Sequence, residues 1–413
     1  MTAPLLLAAI SMAILLQLAI GIGVTFWRLQ RRDTVRLPLG SDDGKTMATG
    51  AWAGWRDFLI KSAAFEDQVG KQRSLILAPI DGLPLPNFAP GQYLTFSLDL
   101  PASQTEPTRT IVRCYSLSDQ PNGATYRITV KRMPASLTGP EFPSGAASSY
   151  LHDKVQTGDT LKVKAPAGLF VLDHTSDAPA VFIAGGIGVT PIISMIAWSL
   201  THQPERPLFL FYGVRNRADH AFKSYLEKLA RTYPAFKLHV LYGAPTPDDV
   251  EGRDFQHAGS IDITLLQRVL PHGRHQFYVC GPPAMMAALV PALSDWGVPK
   301  SDIHFESFGP ASSGYVQPVA GPAAPPLKKP FEVQFSRSRR TVPWTGVDAS
   351  LLDFAEQHGI LVESGCRSGS CGACETRLVS GEVRYASKPD FEVPAGACLL
   401  CVGTPVSNLV LEA

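Results

Sequence analysis

Four cysteines constrain this chain more than any other feature. Cys366, Cys371 and Cys374 follow one another at x4 and x2 spacing, and Cys401 answers after 26 further residues. Three thiols on one short loop, with a fourth far along the chain, is a spacing that holds a 2Fe-2S cluster by four thiolates. Ser368, Gly369, Ser370, Gly372 and Ala373 are small, so the backbone can wrap closely and aim N–H groups at sulfur, which stabilises a negatively charged cluster. Four thiolates also close a tetrahedral zinc shell, although zinc sites more often use two short-spaced cysteine pairs. Cys398 stands beside Cys401 as a second candidate for the fourth ligand.

The segment Cys398-Leu-Leu-Cys401-Val-Gly-Thr-Pro405 resembles the end of plant-type ferredoxin domains, in which the cysteine after an apolar pair and before a proline is the ligand. That resemblance implies Cys401, with Cys398 a small buried residue. Residues 331–413 look like a complete β-grasp ferredoxin domain. Phe331–Phe335 and Thr341–Pro343 predict a hairpin, and Asp348 is the expected N-cap of a helix running through His358 and closed by Gly359. Arg337, Arg339, Arg340, Arg377 and Arg384 could face a partner or water, and water is the expectation.

At 413 residues the chain has room for two or three domains, each with its own core. Its 37 basic and 36 acidic residues nearly balance, which argues against a nucleic-acid partner. Five of the seven cysteines lie between 366 and 401, a cofactor site in a reducing compartment and not a disulfide framework.

From Thr2 to Trp27 no residue is charged, and Leu5 to Ile22 is almost continuously apolar. A run of that length spans a bilayer as one helix. Arg28, Arg31, Arg32 and Arg36 follow at once, so the positive-inside tendency places the C-terminal bulk in the cytoplasm. The expected organisation is a transmembrane anchor over 1–32, meeting lipid through 3–27, and a tether over 33–50. A β-barrel over 51–175, an α/β domain over 176–309, a Pro-rich linker over 310–330 and the cluster domain over 331–413 follow. The linker would reach on the order of 60 Å if wholly polyproline-like.

Short β-like runs at Leu75–Leu77, Tyr93–Phe96, Ile111–Leu117 and Tyr126–Val130, parted by Pro, Gly, Asp and Asn, predict a small antiparallel barrel. In Arg113-Cys114-Tyr115-Ser116 an alternating strand puts Arg113 and Tyr115 on one face, where a guanidinium can hold a phosphate and a phenol ring can lie against a heterocycle. Gly145 to Ser148 open a predicted helix whose amides can receive a pyrophosphate. Ala180–Ala184, Leu208–Tyr212, Lys237–Tyr242 and Gln276–Cys280 are short apolar strands. They alternate with helical patterns at Pro191–Leu200, Ala218–Arg231 and Pro283–Trp296, which predicts a parallel sheet covered on both faces. Two of its strand ends run into Gly185-Gly186-Ile-Gly188-Val-Thr190-Pro191 and Cys280-Gly281-Pro282-Pro283-Ala-Met285. Ligands of such sheets bind at those ends.

From Phe88 to Pro310 the chain resembles the ferredoxin-NADP reductase family, most closely the reductase half of flavohaemoglobins. Tyr115-Ser-Leu-Ser-Asp-Gln-Pro-Asn-Gly, Ser149-Tyr-Leu-His-Asp, the Gly185 to Pro191 run and Phe305-Glu-Ser-Phe-Gly-Pro310 carry the resemblance. It implies FAD contacts at Arg113, Tyr115, Ser116, Gly145 and Ser148, and gives Cys114 no role. It also implies NAD(P) contacts at Gly185, Gly186, Gly188, Thr190, Gly281, Pro282 and Met285. Thr190 and Cys280 would lie near the nicotinamide, and Glu306 and Phe308 in a segment that shields the flavin. Gly145 to Ser148 follow the FAD pattern better than the FMN one, and the nearest resemblance is to NADH-using enzymes. Arg215 and Arg217 stand where a 2′-phosphate would be met, and equally read as solvated loop arginines. His152 and His174 are expected to be structural.

The expectation is an NAD(P)H-dependent oxidoreductase passing electrons through FAD to the 2Fe-2S cluster and on to a membrane-associated acceptor: an oxygenase, desaturase, hydroxylase, cytochrome or quinone. Ser116, Thr190 and Cys280 are its candidate catalytic residues. A regulatory module whose cluster senses oxidation is the reading from a different class, and steady turnover with an artificial acceptor separates the two.

Overall fold

The computed structural model describes residues 51–413 apart from 53, 102–108, 134–144, 309–329, 347, 349, 361, 363, 368, 370, 387, 388 and 390. The expected anchor, its tether and nearly all of the expected linker lie outside the described residues. Among the described residues, no helix is long and apolar enough to cross a membrane.

The first sheet contains β1 (Arg56–Phe65), β2 (Gln72–Pro79), β3 (Tyr93–Leu100), β4 (Arg109–Ser116), β5 (Tyr126–Lys131) and β6 (Thr160–Ala167), in the order β4-β3-β6-β1-β2-β5. Every pairing is antiparallel. The two edges meet where Leu117 bridges Ile128 and Ser118 N–H donates to the Arg127 carbonyl at 2.8 Å. That closure makes the expected barrel and leaves no open sheet edge at this end. Phe58, Ile60, Leu94, Phe96, Leu98 and Ile128 fill it. β1 and β6 are additions to the strands legible in the sequence. Only Phe58 and Ile60 of β1 are buried, and a bulge after Ile60 breaks its alternation.

The second sheet is wholly parallel. It contains β7 (Ala180–Gly185), β8 (Leu208–Val214), β9 (Phe236–Tyr242), β10 (His257–Ala258), β11 (Gln276–Gly281) and β12 (Ile303–Ser307), in the order β10-β9-β8-β7-β11-β12. Helices Val189–His202, Lys223–Thr232, Ile263–Val269 and Pro283–Asp295 cover it, with a separate apolar core on each face. The chain grows from β7 through β8 to β9 on one side, then crosses to β11 and β12 on the other. This puts the topological switch between β7 and β11. The helix expected from Ala218 begins instead at Lys223. Phe222 takes a left-handed φ of 58°, is 3% exposed and donates its N–H to the Glu66 carbonyl at 3.1 Å, so burial of its ring interrupts the helical run.

The third unit contains β13 (Phe331–Phe335), β14 (Arg340–Trp344), β15 (Glu375–Ser380), β16 (Val383–Tyr385), β17 (Ala397–Leu399), β18 (Gly403–Pro405) and β19 (Leu409–Leu411), with a helix at Leu351–Gln357. The predicted hairpin is there as the antiparallel β13–β14 pair. The expected N-cap is corrected: Ser350, not Asp348, caps the helix. Its Oγ accepts from Asp353 N–H at 3.2 Å and donates to Asp353 Oδ2 at 2.7 Å, a reciprocal cap that Asp348 stands too early to make. Arg337 and Arg377 face water as expected, 72% and 75% exposed, with Glu412 beside both.

Candidate functional site

The cysteine loop is a nest of N–H to sulfur contacts. Cys366 N–H donates to Cys371 Sγ at 3.2 Å, Cys371 N–H to Cys366 Sγ at 3.3 Å, Ala373 N–H to Cys371 Sγ at 3.4 Å and Cys401 N–H to Cys374 Sγ at 3.4 Å. Gly372 has φ 76°, and a Cβ there would come within 2.6 Å of the Phe391 ring, so a side chain would hold the loop open. Arg367 takes φ 56° in the middle of it. Its guanidinium bonds Glu356 on the Leu351–Gln357 helix, an anchor that no spacing in the sequence announces.

The thiols fall in two couples, Cys366 with Cys371 and Cys374 with Cys401. Within the second, the Cys401 thiol hydrogen-bonds Cys374 and holds that sulfur toward the thiolate. Among the described residues, no three His, Cys, Asp or Glu side chains converge on a point that would hold a single ion. Two couples suit two irons taking two thiolates each. The donor set therefore fits a 2Fe-2S cluster. Cys398 lies on β17 opposite Thr376, is 1% exposed, and burial pushes its thiol up to about 12. Two residues past the end of that strand, Cys401 is the one brought to Cys374.

On β4, Tyr115 and Arg113 pair laterally with Leu94 and Phe96, which points them to the barrel's inner face. The Tyr115 ring meets Phe96 edge-on at 5.7 Å, and burial raises its phenol above the ordinary value against the opposing Arg113 charge. Arg113 Nη1 donates to the carbonyls of Val112 at 2.7 Å and Ser364 at 3.4 Å. Ser116 is 6% exposed and pairs with Tyr93. Gly145 takes φ 92° and caps the Ala146–Asp153 helix, whose first turn carries no acidic residue. Ser148 Oγ donates to the Gly145 carbonyl at 3.0 Å and accepts from Met133 N–H at 3.1 Å, so it shapes the turn. An uncompensated helix N-terminus suits a pyrophosphate. His152 Nε2 lies 2.9 Å from the Val130 carbonyl, a structural contact as expected.

At the switch, the β7 and β11 loops meet backbone to backbone. A Cβ on Gly188 would overlap the Cys280 carbonyl oxygen and stand 2.8 Å from Gly281 Cα. One on Gly185 would fall 2.5 Å from Pro282 Cδ and 2.9 Å from Met285 Sδ. Gly186 has φ 53° and open space, with Lys131 Nζ 3.7 Å from where its Cβ would be. Close approach thus accounts for Gly185 and Gly188, and backbone conformation for Gly186. Thr190 Oγ1 donates to the Ile187 carbonyl at 3.0 Å. Cys280 is fully buried, and burial pushes its thiol well up. Phe308 packs against the nucleotide-domain core. Arg217 stands 3.9 Å from the buried Asp254 carboxylate.

Glu306 is the register partner of Cys280 across β11 and β12, and its Oε2 is buried without a hydrogen-bond partner. Burial drives this carboxyl up to about 8, with the Cys366 sulfur adding to the shift. A carboxyl raised on folding contributes stability fully below its ordinary 4.5 and loses that contribution as pH rises through about 8. Glu306→Gln is therefore expected to flatten the fall in melting temperature across that window. Calorimetry at several pH values checks it, and parallel curves for the two proteins would refute the buried-acid account.

Three family models match the chain: an oxidoreductase FAD-binding domain over residues 85–172, an oxidoreductase NAD-binding domain over 182–290, and a 2Fe-2S iron-sulfur cluster binding domain over 334–406. The chain is 40% identical to the flavohemoprotein of Rhizobium meliloti over 63% of its own length, and spans 62% of that relative. It resembles the FAD/NAD-binding domain of the nitric oxide dioxygenase of Vibrio cholerae at 31% identity and TM-score 0.53, covering 62% of this chain and 99% of that one. An intact type IV self-sufficient cytochrome P450 monooxygenase matches at 25% identity and TM-score 0.53, over 87% of this chain and 41% of the other. FAD, NAD(P)H and a 2Fe-2S cluster are the cofactors these matches establish.

Proposed function

The chain belongs to the FAD- and NAD-binding oxidoreductase family that includes the reductase half of the flavohaemoproteins, and from that premise we propose a membrane-anchored reductase carrying electrons from NADH through FAD and a 2Fe-2S cluster to an oxygenase-type acceptor. The observation that carries the electron route is contact between the cluster loop and the flavin barrel: Lys164 Nζ on β6 donates to the Cys371 carbonyl at 2.9 Å.

Bound to the barrel, FAD supplies the conversion of a two-electron hydride into the single electrons that a 2Fe-2S cluster carries. The chain's own residues bind and orient. Tyr115, Arg113, Ser116 and the amides of the Ala146–Asp153 helix would hold FAD. Thr190, Cys280 and the glycine turn align the nicotinamide, with Gly281, Pro282 and Met285 walling the same cleft. Glu306 holds a proton at neutral pH and Phe308 closes the flavin side. Hydride transfer itself asks for no separate general acid or base. Cys366 and Cys371 would hold one iron, Cys374 and Cys401 the other. The pairing of Arg217 with Asp254 supports NADH over NADPH, since it draws that guanidinium away from a 2′-phosphate.

A desaturase, hydroxylase, cytochrome or quinone would take the same electrons. The P450 monooxygenase relative favours an oxygenase. The apolar run from Leu5 to Ile22 with its trailing arginines supports a single-pass anchor and cytoplasmic C-terminal domains. Deleting residues 2–32 is expected to move the protein from the membrane to the soluble fraction with NADH-ferricyanide turnover intact. Persistence in washed membranes would count against the anchor.

The reading as a whole is tested on protein purified from membranes in mild detergent. Anaerobic NADH should bleach both flavin and cluster absorption and drive cytochrome c reduction. A loaded cluster with no flavin and no turnover would sink it.

A further inference from the structure

On β4, the residue between Arg113 and Tyr115 points the other way. Cys114 pairs laterally with Thr95 on β3, and Thr95 pairs with Lys164 on β6. Residues in lateral register share a face of a pleated sheet, so these three form a row on the outer side of the barrel, opposite Arg113 and Tyr115.

All of that row converges on one cluster cysteine. Lys164 Nζ holds the Cys371 carbonyl at 2.9 Å while sitting 4.9 Å from the ring of Trp55 and 4.9 Å from that of Phe391, one aromatic from each domain. Cys114 Sγ and Cys371 Sγ both stand against Gly365, and Thr95 Oγ1 lies 3.4 Å from Cys114 Sγ. Gly365 completes the fit, because a Cβ there would stand 2.8 Å from Cys371 Sγ and 3.7 Å from Cys114 Sγ. A ligand thiolate carries no proton, so with iron bound any hydrogen bond between the two sulfurs has the Cys114 S–H as its donor.

We propose that Lys164, Thr95 and Cys114 are positioning residues: they seat Cys371 on the flavin barrel and raise the reduction potential of the cluster, which favours one-electron transfer from flavin to iron. The inference rests on the NAD(P)H-FAD-cluster reading above. A nearby positive charge and a hydrogen bond to a ligand sulfur both stabilise the reduced cluster, which carries one more negative charge. In the step concerned, the reduced flavin loses one electron and one ferric iron becomes ferrous, with NAD(P)H the reductant and no atom passing between the two groups.

The test is a potentiometric titration of the full chain followed by electron paramagnetic resonance, with Cys114→Ala, Cys114→Ser and Lys164→Met. Cys114→Ala and Lys164→Met should each lower the reduced fraction at a fixed potential about tenfold, a downward shift near 59 mV for one electron. Cys114→Ser, whose hydroxyl also donates, should restore the potential. NADH-ferricyanide turnover, which needs only the flavin, should hold in every variant while cytochrome c reduction falls. Unchanged potentials in both Cys114→Ala and Lys164→Met, or a Ser variant as low as the Ala one, would overturn the proposal. Because the titration uses dithionite, it decides the row's role even if NADH fails to reduce the wild-type cluster, a result that would strike the electron-transfer reading instead.

Discussion

Cys401→Ser is expected to leave the protein without its 2Fe-2S cluster, whereas Cys398→Ser keeps it. Cys401 is joined to Cys374 through sulfur and backbone, while Cys398 is buried on the β17 strand opposite Thr376. Loss of a ligand should exceed the roughly 10–100-fold penalty of losing a ligand's outer partner, so cytochrome c reduction should drop by at least about 100-fold. Ferricyanide reduction through the flavin should survive. Cys398→Ser buries a hydroxyl in place of a thiol and is expected to cost about 1–3 kcal/mol of stability if that hydroxyl finds no partner, with the cluster spectrum unchanged. Visible absorption and paramagnetic resonance of the two purified variants decide the matter, and an intact cluster in Cys401→Ser would reverse the assignment.

Gly188→Ala should be the most damaging small substitution in the nucleotide domain. Its methyl group would lie 2.5 Å from the Cys280 carbonyl carbon and 2.8 Å from Gly281 Cα, all of it backbone that cannot swing aside as a side chain can. The β7 and β11 loops would have to part, and with them Thr190 and Cys280. A misplacement of about 1 Å at a reacting centre can cost roughly 100-fold, and a loss of that order is expected in kcat/KM for NADH with FAD still bound. Gly186→Ala is the contrasting case. It meets only the flexible end of Lys131 at 3.7 Å and suffers chiefly the left-handed backbone, a strain of about 1–2 kcal/mol. Steady-state kinetics of the pair, with flavin content measured alongside, test this account. Equal kcat/KM in Gly188→Ala and wild type would show that the loops can separate freely.

Much of the fold was legible because its signals are local. The β7, β8, β9 and β11 strands are continuous apolar runs, as strands buried on both faces must be. β1 and β6 escaped because each buries only part of one face: β1 alternates for a few residues before its bulge, and β6 carries lysines and a proline. Asp348 and Ser350 are both capping residue types, and only Ser350 has an aspartate three residues on to complete the reciprocal cap. Phe222 could not be foreseen as a helix breaker, since a phenylalanine stops a helix only when a distant backbone, here Glu66, takes its N–H.

The sequence by itself determined the chemistry: four thiols at a cluster spacing, a flavin motif on an alternating strand, and two glycine-bearing loops at strand ends. These depend on residues near one another in the chain, whose geometry the backbone dictates. Only the tertiary structure decided which loops touch. It drew Cys401 in place of Cys398 to Cys374, set the two nucleotide loops against each other at the sheet's switch, and joined Lys164 to Cys371 across 207 positions of sequence. Those contacts follow from strand register and domain docking, which pair residues laterally across sheets, and no local pattern encodes the partner on the far side.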